Sequence, residues 1–324
     1  MRFQLNVIND QLPGTIDIFI CNSSFEERSL AILKQIDKSS IKNAIICSNQ
    51  DQNDIVGENA NTIVSLLNCP VLLAKFNTED PLTIADQLID KISALITGVE
   101  QNIVVDVTTF THEALLILLK IFKLNDLCSL CKVTLLYNSA SSYCSSANNA
   151  DEVWLSKGLK DKRTILGYPG RFKPNNSLHL IMLVGFEVER AKHLIEAYES
   201  DKLSIGMADK DESVEYNVHE VNLNKYEDLK VVYNDVEEYY FSCIDPVKTA
   251  KSLNEHINKF ENHNVVLSPM NNKISTIGCA LLAINKPEIQ VISSRANVYN
   301  TVSYSEPSEY FYKFDLEELL QHKF

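Results

Sequence analysis

This chain is poor in glycine and, relative to its acids, in basic residues. It holds nine glycines in 324 residues, and no G-x-G-x-x-G, G-x-x-x-x-G-K-[ST] or G-x-S-x-G occurs anywhere. That excludes the glycine-cradled dinucleotide and nucleoside triphosphate sites and the nucleophile elbow of hydrolases. Lys and Arg number 30 against 43 Asp and Glu, a net charge of −13. A protein wrapped in nucleic acid needs a basic face, so an extended nucleic-acid partner is not expected. A small anion held by a few local cations stays compatible with that balance.

Long apolar runs are also missing. Ala114–Leu119 is ended by Lys120, far short of the roughly 18 residues of a membrane span. Asn, Asp and Gln interrupt residues 1–20, so no signal peptide and no membrane partner are expected, and the location read from the sequence is cytoplasmic. Eight cysteines stand at 21, 47, 69, 128, 131, 144, 243 and 279. Most lie in apolar runs, as buried, reduced thiols do. Cys128 and Cys131 form a lone C-x-x-C without a second pair. No metal and no cofactor are therefore expected.

What is present is an internal repeat, offset by about 160 residues. IDIFICNSSFEERSLAIL at 16–33 parallels LHLIMLVGFEVERAKHLI at 178–195. NAIICSN at 43–49 parallels KLSIGMA at 202–208, and the segments at 76–92 and 241–257 share Asp-Pro at 80–81 and 245–246. The segments at 102–119 and 264–281 follow, then 132–143 with 289–299, then 152–159 with 309–316. Arg28 to Asp106 and Arg190 to Ser268 are both 78 residues apart.

The short Ile- and Val-rich runs read as strands buried on both faces, and the segments between them carry helical periodicity. Phe25, Leu30, Leu33 and Ile36 mark one helix face; Leu82, Ile84, Leu88, Ile89, Ile92, Leu95 and Ile96 mark another. Asp80 and Asp245 read as N-caps ahead of Pro81 and Pro246 at the first helical position. Alternating strands and helices give an α/β protein: two tandem Rossmann-like parallel-sheet domains related by internal duplication. The expected boundaries are 1–144 for the first repeat, 145–177 for a partly irregular connector and 178–324 for the second. A closing strand is expected at 152–159 and 308–316. The connector carries Lys157, Lys160, Lys162, Arg163, Arg171 and Lys173, and reads as a solvated linker or a contact surface for a partner.

With strand order 3-2-1-4-5, ligands meet the sheet between the first and fourth strands, at their carboxyl ends. The first-strand loops supply Ser23, Ser24 and Arg28, and Arg190. The fourth-strand loops supply Thr108, Thr109 and Thr111, and Asn271, Asn272 and Lys273. A capping box from Ser23 or Ser24 to Glu26 or Glu27 is the structural reading of the first loop. Donors at a helix N-terminus with Lys273 beside them suit a phosphate. A second reading places Asp106, His112 and Glu27 around a hydrolytic site in the first repeat alone, since Ser268 stands where Asp106 would recur.

A Rossmann-like unit with loops after its first and fourth strands, and a Lys entering the helix after the fourth, resembles the CRISPR-associated Rossmann fold (CARF) sensor domains. Ser268-Pro-Met-Asn-Asn-Lys273-Ile-Ser275 is similar to their Gly-Thr-Lys type loop. The resemblance implies a non-enzymatic sensor or regulatory subunit in prokaryotic antiviral defence. It implies two paired units, an anionic, nucleotide-like ligand and a separate effector protein.

Overall fold

The computed structural model describes residues 1–50, 54–98, 100–125, 127–143, 154–214, 216–233, 235–301 and 304–324. Its strands are β1 (Arg2–Gln4), β2 (Ile18–Asn22), β3 (Ala44–Asn49), β4 (Val71–Phe76), β5 (Gln101–Asp106), β6 (Cys131–Tyr143), β7 (Ser156–Lys157), β8 (Asp161–Pro169), β9 (Ser177–Val184), β10 (Lys202–Ala208), β11 (Val236–Phe241), β12 (His263–Met270), β13 (Gln290–Arg295), β14 (Val298–Tyr299) and β15 (Ser305–Asp315). Its α-helices are α1 (Ile8–Gln11), α2 (Arg28–Gln35), α3 (Asp54–Leu66), α4 (Pro81–Leu95), α5 (His112–Leu124), α6 (Leu127–Leu130), α7 (Val188–Tyr198), α8 (Tyr216–Val232), α9 (Pro246–Ile257), α10 (Lys273–Asn285) and α11 (Leu316–Gln321). No helix among the described residues is long and apolar enough to cross a membrane.

The chain forms two compact units. The first is Met1–Ser142 with Ser305–Gln321; the second is Tyr143–Tyr304 with His322–Phe324. The first unit's sheet runs β1-β15-β6-β5-β2-β3-β4 and the second's runs β11-β10-β9-β12-β13-β8, with β7 and β14 as a separate pair. From β2 to β6 and from β9 to β13 every neighbouring pair is parallel. Both units therefore have the order 3-2-1-4-5, which puts the first and fourth strands side by side.

The core follows from the strand composition. Ile18, Phe19 and Ile20 on β2, and Leu180 to Leu183 on β9, are wholly buried. Two apolar clusters form, one per unit, with Phe19, Ile46, Val104 and Phe311 in the first and Met182, Ile205, Leu229 and Val266 in the second. The capping expectation holds: Asp80 accepts from the Leu82 N–H, Asp245 from those of Val247 and Lys248, and each is followed by Pro at the first turn. Gly278 lets α10 lie close on α9, because a Cβ there would stand 2.7 Å from the Pro246 carbonyl oxygen.

The helix faces differ from the sequence pattern in two places: Phe25 lies ahead of α2, which begins at Arg28, and α4 buries a narrower stripe. On α4 the buried residues are Ile84, Ala85, Leu88 and Ile92, while Leu82 and Ile89 are exposed. At 100° per residue those two share a flank turned away from the buried stripe.

The domain boundaries differ more. Within 145–177, of which 145–153 lie outside the described residues, the chain is more than a connector: β8 pairs antiparallel with β13 as an edge strand of the second sheet. The segment 305–321 does not belong with the second repeat, since β15 lies between β1 and β6 in the first sheet. By its place at the outer side of the fifth strand, β8 in the second unit corresponds to β15 in the first. β8, which comes after the first repeat's five parallel strands in the chain, thus joins the second unit's sheet, and β15, which comes after the second repeat's, joins the first. The closing strands of the two repeats have changed places. The expected closing strand at 152–159 falls instead at Asp161–Pro169, with 151–153 outside the described residues. Basic residues of this stretch are engaged within the second unit: Lys162 donates to the Ala197 carbonyl and lies 4.6 Å over the Tyr198 ring.

Candidate functional site

In the first unit the loop after β2 and the loop after β5 bond directly to each other. Asn22 Nδ2 donates to the Thr109 carbonyl at 2.9 Å, and Thr109 Oγ1 donates to the Asn22 carbonyl at 2.6 Å. The second unit repeats the contact: Asn271 Nδ2 donates to the Val184 carbonyl at 2.8 Å. Asp106 pairs with Cys21, just before Asn22. Pro269 pairs with Leu183, just before Val184. Asp106 therefore corresponds to a position one residue from Ser268.

Arg28 and Arg190 each form an ion pair with a glutamate of the first-strand loop, largely out of solvent. Arg28 donates to Glu26 Oε2 at 2.6 Å and to the Asn138 carbonyl at 3.2 Å. Arg190 pairs with Glu187 and donates to the Ser294 carbonyl at 3.0 Å. Burial pulls the Arg190 pKa down, against the nearby Tyr299 and Tyr304. Each pair is closed by a serine: Ser305, the first residue of β15, donates to Glu26 at 2.6 Å, and Ser156 on β7 donates to Glu187. The partner of Arg28 is Glu26, not Glu27.

The expected capping box does not form. Glu27 is the N-cap of α2 without a side-chain bond. Ser23 instead donates to the Val56 carbonyl at 2.8 Å, and the Ser24 hydroxyl accepts from the Glu26 N–H at 3.4 Å. Ser23, Ser24, Thr108 and Thr109 are all buried, so the first-strand loop is held down by α3 rather than by its own helix.

Thr108 and Asn138 tie this region to the exchanged strand. The Thr108 hydroxyl accepts from the Asn138 N–H at 2.9 Å. Asn138 is fully buried and donates through Nδ2 to the carbonyls of Ser308 and Tyr310 on β15 at 2.9 and 2.8 Å. One asparagine on β6 thus holds the fourth-strand loop, Arg28 and β15 together.

The helix N-termini carry their own caps. Thr111 accepts from Ala114 N at 3.1 Å, and Asn272 Oδ1 accepts from Ser275 N at 2.9 Å while its Nδ2 donates to the Cys243 carbonyl. Lys273 is the first residue of α10 and half-buried.

Asp106, His112 and Glu27 differ in burial, from buried through half-buried to exposed. Asp106 is buried and accepts from the Thr108 N–H at 3.0 Å. Burial pushes its carboxyl up to about 7, against the Thr108 bonds and the Arg28 charge. His112 begins α5 and is half-buried. Glu27 lines a separate cleft of about 470 Å³ with Gln4, Asn6, Lys34 and Glu309. Among the described residues no group of three or more His, Cys, Asp or Glu could hold a metal ion. Cys131 is buried and free, Cys128 lies on α6, and Cys144 falls outside the described residues.

A feature the sequence reading passed over is a second cleft, of about 540 Å³, at the carboxyl ends of β3 and β4. Ser48, Asn49, Gln50, Asp54, Glu58, Asn61 and Lys75 line it. The only sequence signal was the polar ending of an otherwise apolar strand, Ser48-Asn49-Gln50.

No family model matches this sequence, and no curated protein matches it. Among solved structures, the chain is similar to the cytoplasmic domain of a prokaryotic cation chloride cotransporter, with 7% identity over 89% of this chain and 98% of that one and a TM-score of 0.26. A likeness of that degree carries no functional argument.

Proposed function

We propose that this protein is a non-enzymatic sensor or regulatory subunit. It takes an anionic, nucleotide-like ligand at the loops after the first and fourth strands and signals to a separate effector protein, as the resemblance to CARF sensor domains implies. The observation that carries the reading is the Asn138 junction. A ligand that displaced Thr108 or Arg28 would act on the residue that also holds β15. A rearrangement at the loops is thereby coupled to a strand arriving from the other repeat. In the second unit the N-terminus of α10 with Lys273 supplies donors and a positive charge to an anion. The burial of Asp106 and the bond its carboxylate already accepts from the Thr108 N–H favour this reading over hydrolysis.

The test is thermal melting with ATP, pyrophosphate and cyclic tetra-adenylate as probes. At least one probe raises the melting temperature. Lys273→Ala weakens its binding by about tenfold to a hundredfold, the equivalent of one charge-assisted hydrogen bond. Absence of any shift, or equal shifts in wild type and Lys273→Ala, removes the loop from the site.

A further inference from the structure

The cleft over β3 and β4 has the furnishings of a polyol site. Asn49 is 6% exposed and lines the cleft, yet its carboxamide makes no side-chain hydrogen bond with another described residue. Buried carboxamides are ordinarily paired, because leaving one unpaired is costly. Its donor and acceptor are left to the solvent or ligand that fills the cleft. Around it stand the Asp54 and Glu58 carboxylates, one turn apart on α3, with the Asn61 carboxamide, the Ser48 hydroxyl and the Lys75 ammonium. Asp54, Glu58 and Lys75 form no ion pair with another described residue. Gly57 lies between the two carboxylates, and a Cβ built there meets nothing within 4 Å, so the helix face toward the cleft is open.

The duplicated unit serves as an internal control. Ala208 takes the place of Asn49, since each pairs with the Phe that ends the neighbouring strand, Phe241 and Phe76. Tyr240 takes the place of Lys75 by the same register. Asp209 is turned onto the Asp211 N–H at 2.9 Å, and Glu212 is paired with Lys248. The same strand ends are therefore closed in the second unit and furnished in the first.

We infer that this cleft binds a sugar through vicinal hydroxyls. Each hydroxyl both donates and accepts. A carboxylate takes two adjacent O–H groups, a carboxamide gives one bond and takes one, and an ammonium only gives. Two carboxylates repel an anion, and Lys75 with three amide or hydroxyl groups disfavours a bare cation; a neutral polyol uses all of them. Sites of this kind in parallel sheets lie at the carboxyl ends of strands. The inference is independent of the loops after the first and fourth strands, so either reading survives failure of the other.

Saturation-transfer NMR with D-ribose, D-glucose and myo-inositol tests it, with 2-deoxy-D-ribose and inorganic phosphate as comparators. At least one of the three polyols binds, and if it is ribose, 2-deoxyribose binds more weakly. Glu58→Gln and Lys75→Gln, at exposed positions, each weaken binding by about tenfold, the loss of one hydrogen bond to a charged group. Asn49→Ala abolishes it, with folding checked by its own melt. No transfer from any of the three polyols, transfer unchanged in Glu58→Gln and Lys75→Gln, or preferential binding of phosphate overturns the inference.

Discussion

At the residue scale, Ser204 places one hydroxyl between two buried imidazoles, 2.6 Å from His179 Nε2 and 2.8 Å from His256 Nε2. A hydroxyl gives a single proton, so one ring accepts from it and the other donates to it. Both Nδ1 atoms are buried without a partner. Burial, with His256, His263 and Lys202 nearby, pushes His179 down to about 3. Burial, with Lys259 adding and Glu237 opposing, pushes His256 down to about 4. A histidine whose folded pKa lies below its unfolded value stabilises above about pH 6.5, and that stability is lost as the pH falls. At pH 5 the loss is about 2 kcal/mol for each ring. Asp106 has the opposite sign: its carboxyl, held near 7 in the fold, lets the unfolded state release a proton first. Stability therefore declines as pH rises from about 4 to 7, at up to about 1.4 kcal/mol per unit. Thermal melts across this range check both. The His179→Gln/His256→Gln variant loses less stability on acidification than wild type. Asp106→Asn melts higher than wild type above pH 7. Wild-type acid sensitivity in the double histidine variant contradicts the assignment.

At the element scale, the five parallel strands and their helices were legible because each rests on a local pattern. Ile- and Val-rich runs make strands, and Asp-Pro starts α4 and α9. The exchange of β8 and β15 was not legible. A closing strand's own sequence states which face is buried, but not which of two equivalent sheet edges it joins. Phe311 on β15 is fully buried, its ring 5.6 Å from that of Phe3. Phe311→Ala costs about 3–5 kcal/mol by cavity formation. Hydrogen exchange resolved by segment locates that cost. Protection falls in β1, β6 and β15 and holds in β9 to β12. Equal loss in both sets would mean that β15 does not stabilise the first unit separately.

At the scale of the whole molecule, the thiols report on how completely the chain is packed. Cys21, Cys47, Cys69, Cys131, Cys243 and Cys279 are free. Burial raises their pKa values, most at Cys21, Cys47, Cys243 and Cys279. The thiolate is the reactive form, so the native protein alkylates slowly. Denaturation without a reductant exposes eight modifiable thiols by mass, one for each cysteine of the sequence. A mass short by one pair of alkyl groups would reveal a bridge. Of the candidate site, the sequence located the two loops and the two arginines, because those recur at constant spacing in both repeats, but not which glutamate pairs with each: Glu26 lies two residues before Arg28 and Glu187 three before Arg190. It determined by itself the repeat and the alternation of strands and helices, whereas the strand order that puts the two loops side by side was a premise that the sheets then showed. Only the tertiary structure decided that Ser23 bonds to α3 instead of capping α2, that Asn138 gathers two loops and an exchanged strand, and that Asn49 is left unpaired in a cleft. The physical reason is range. Periodicity and capping are set within a few residues, whereas a hydrogen-bond partner for Asn138 or Asn49 is supplied, or withheld, by chain that arrives from far along the sequence.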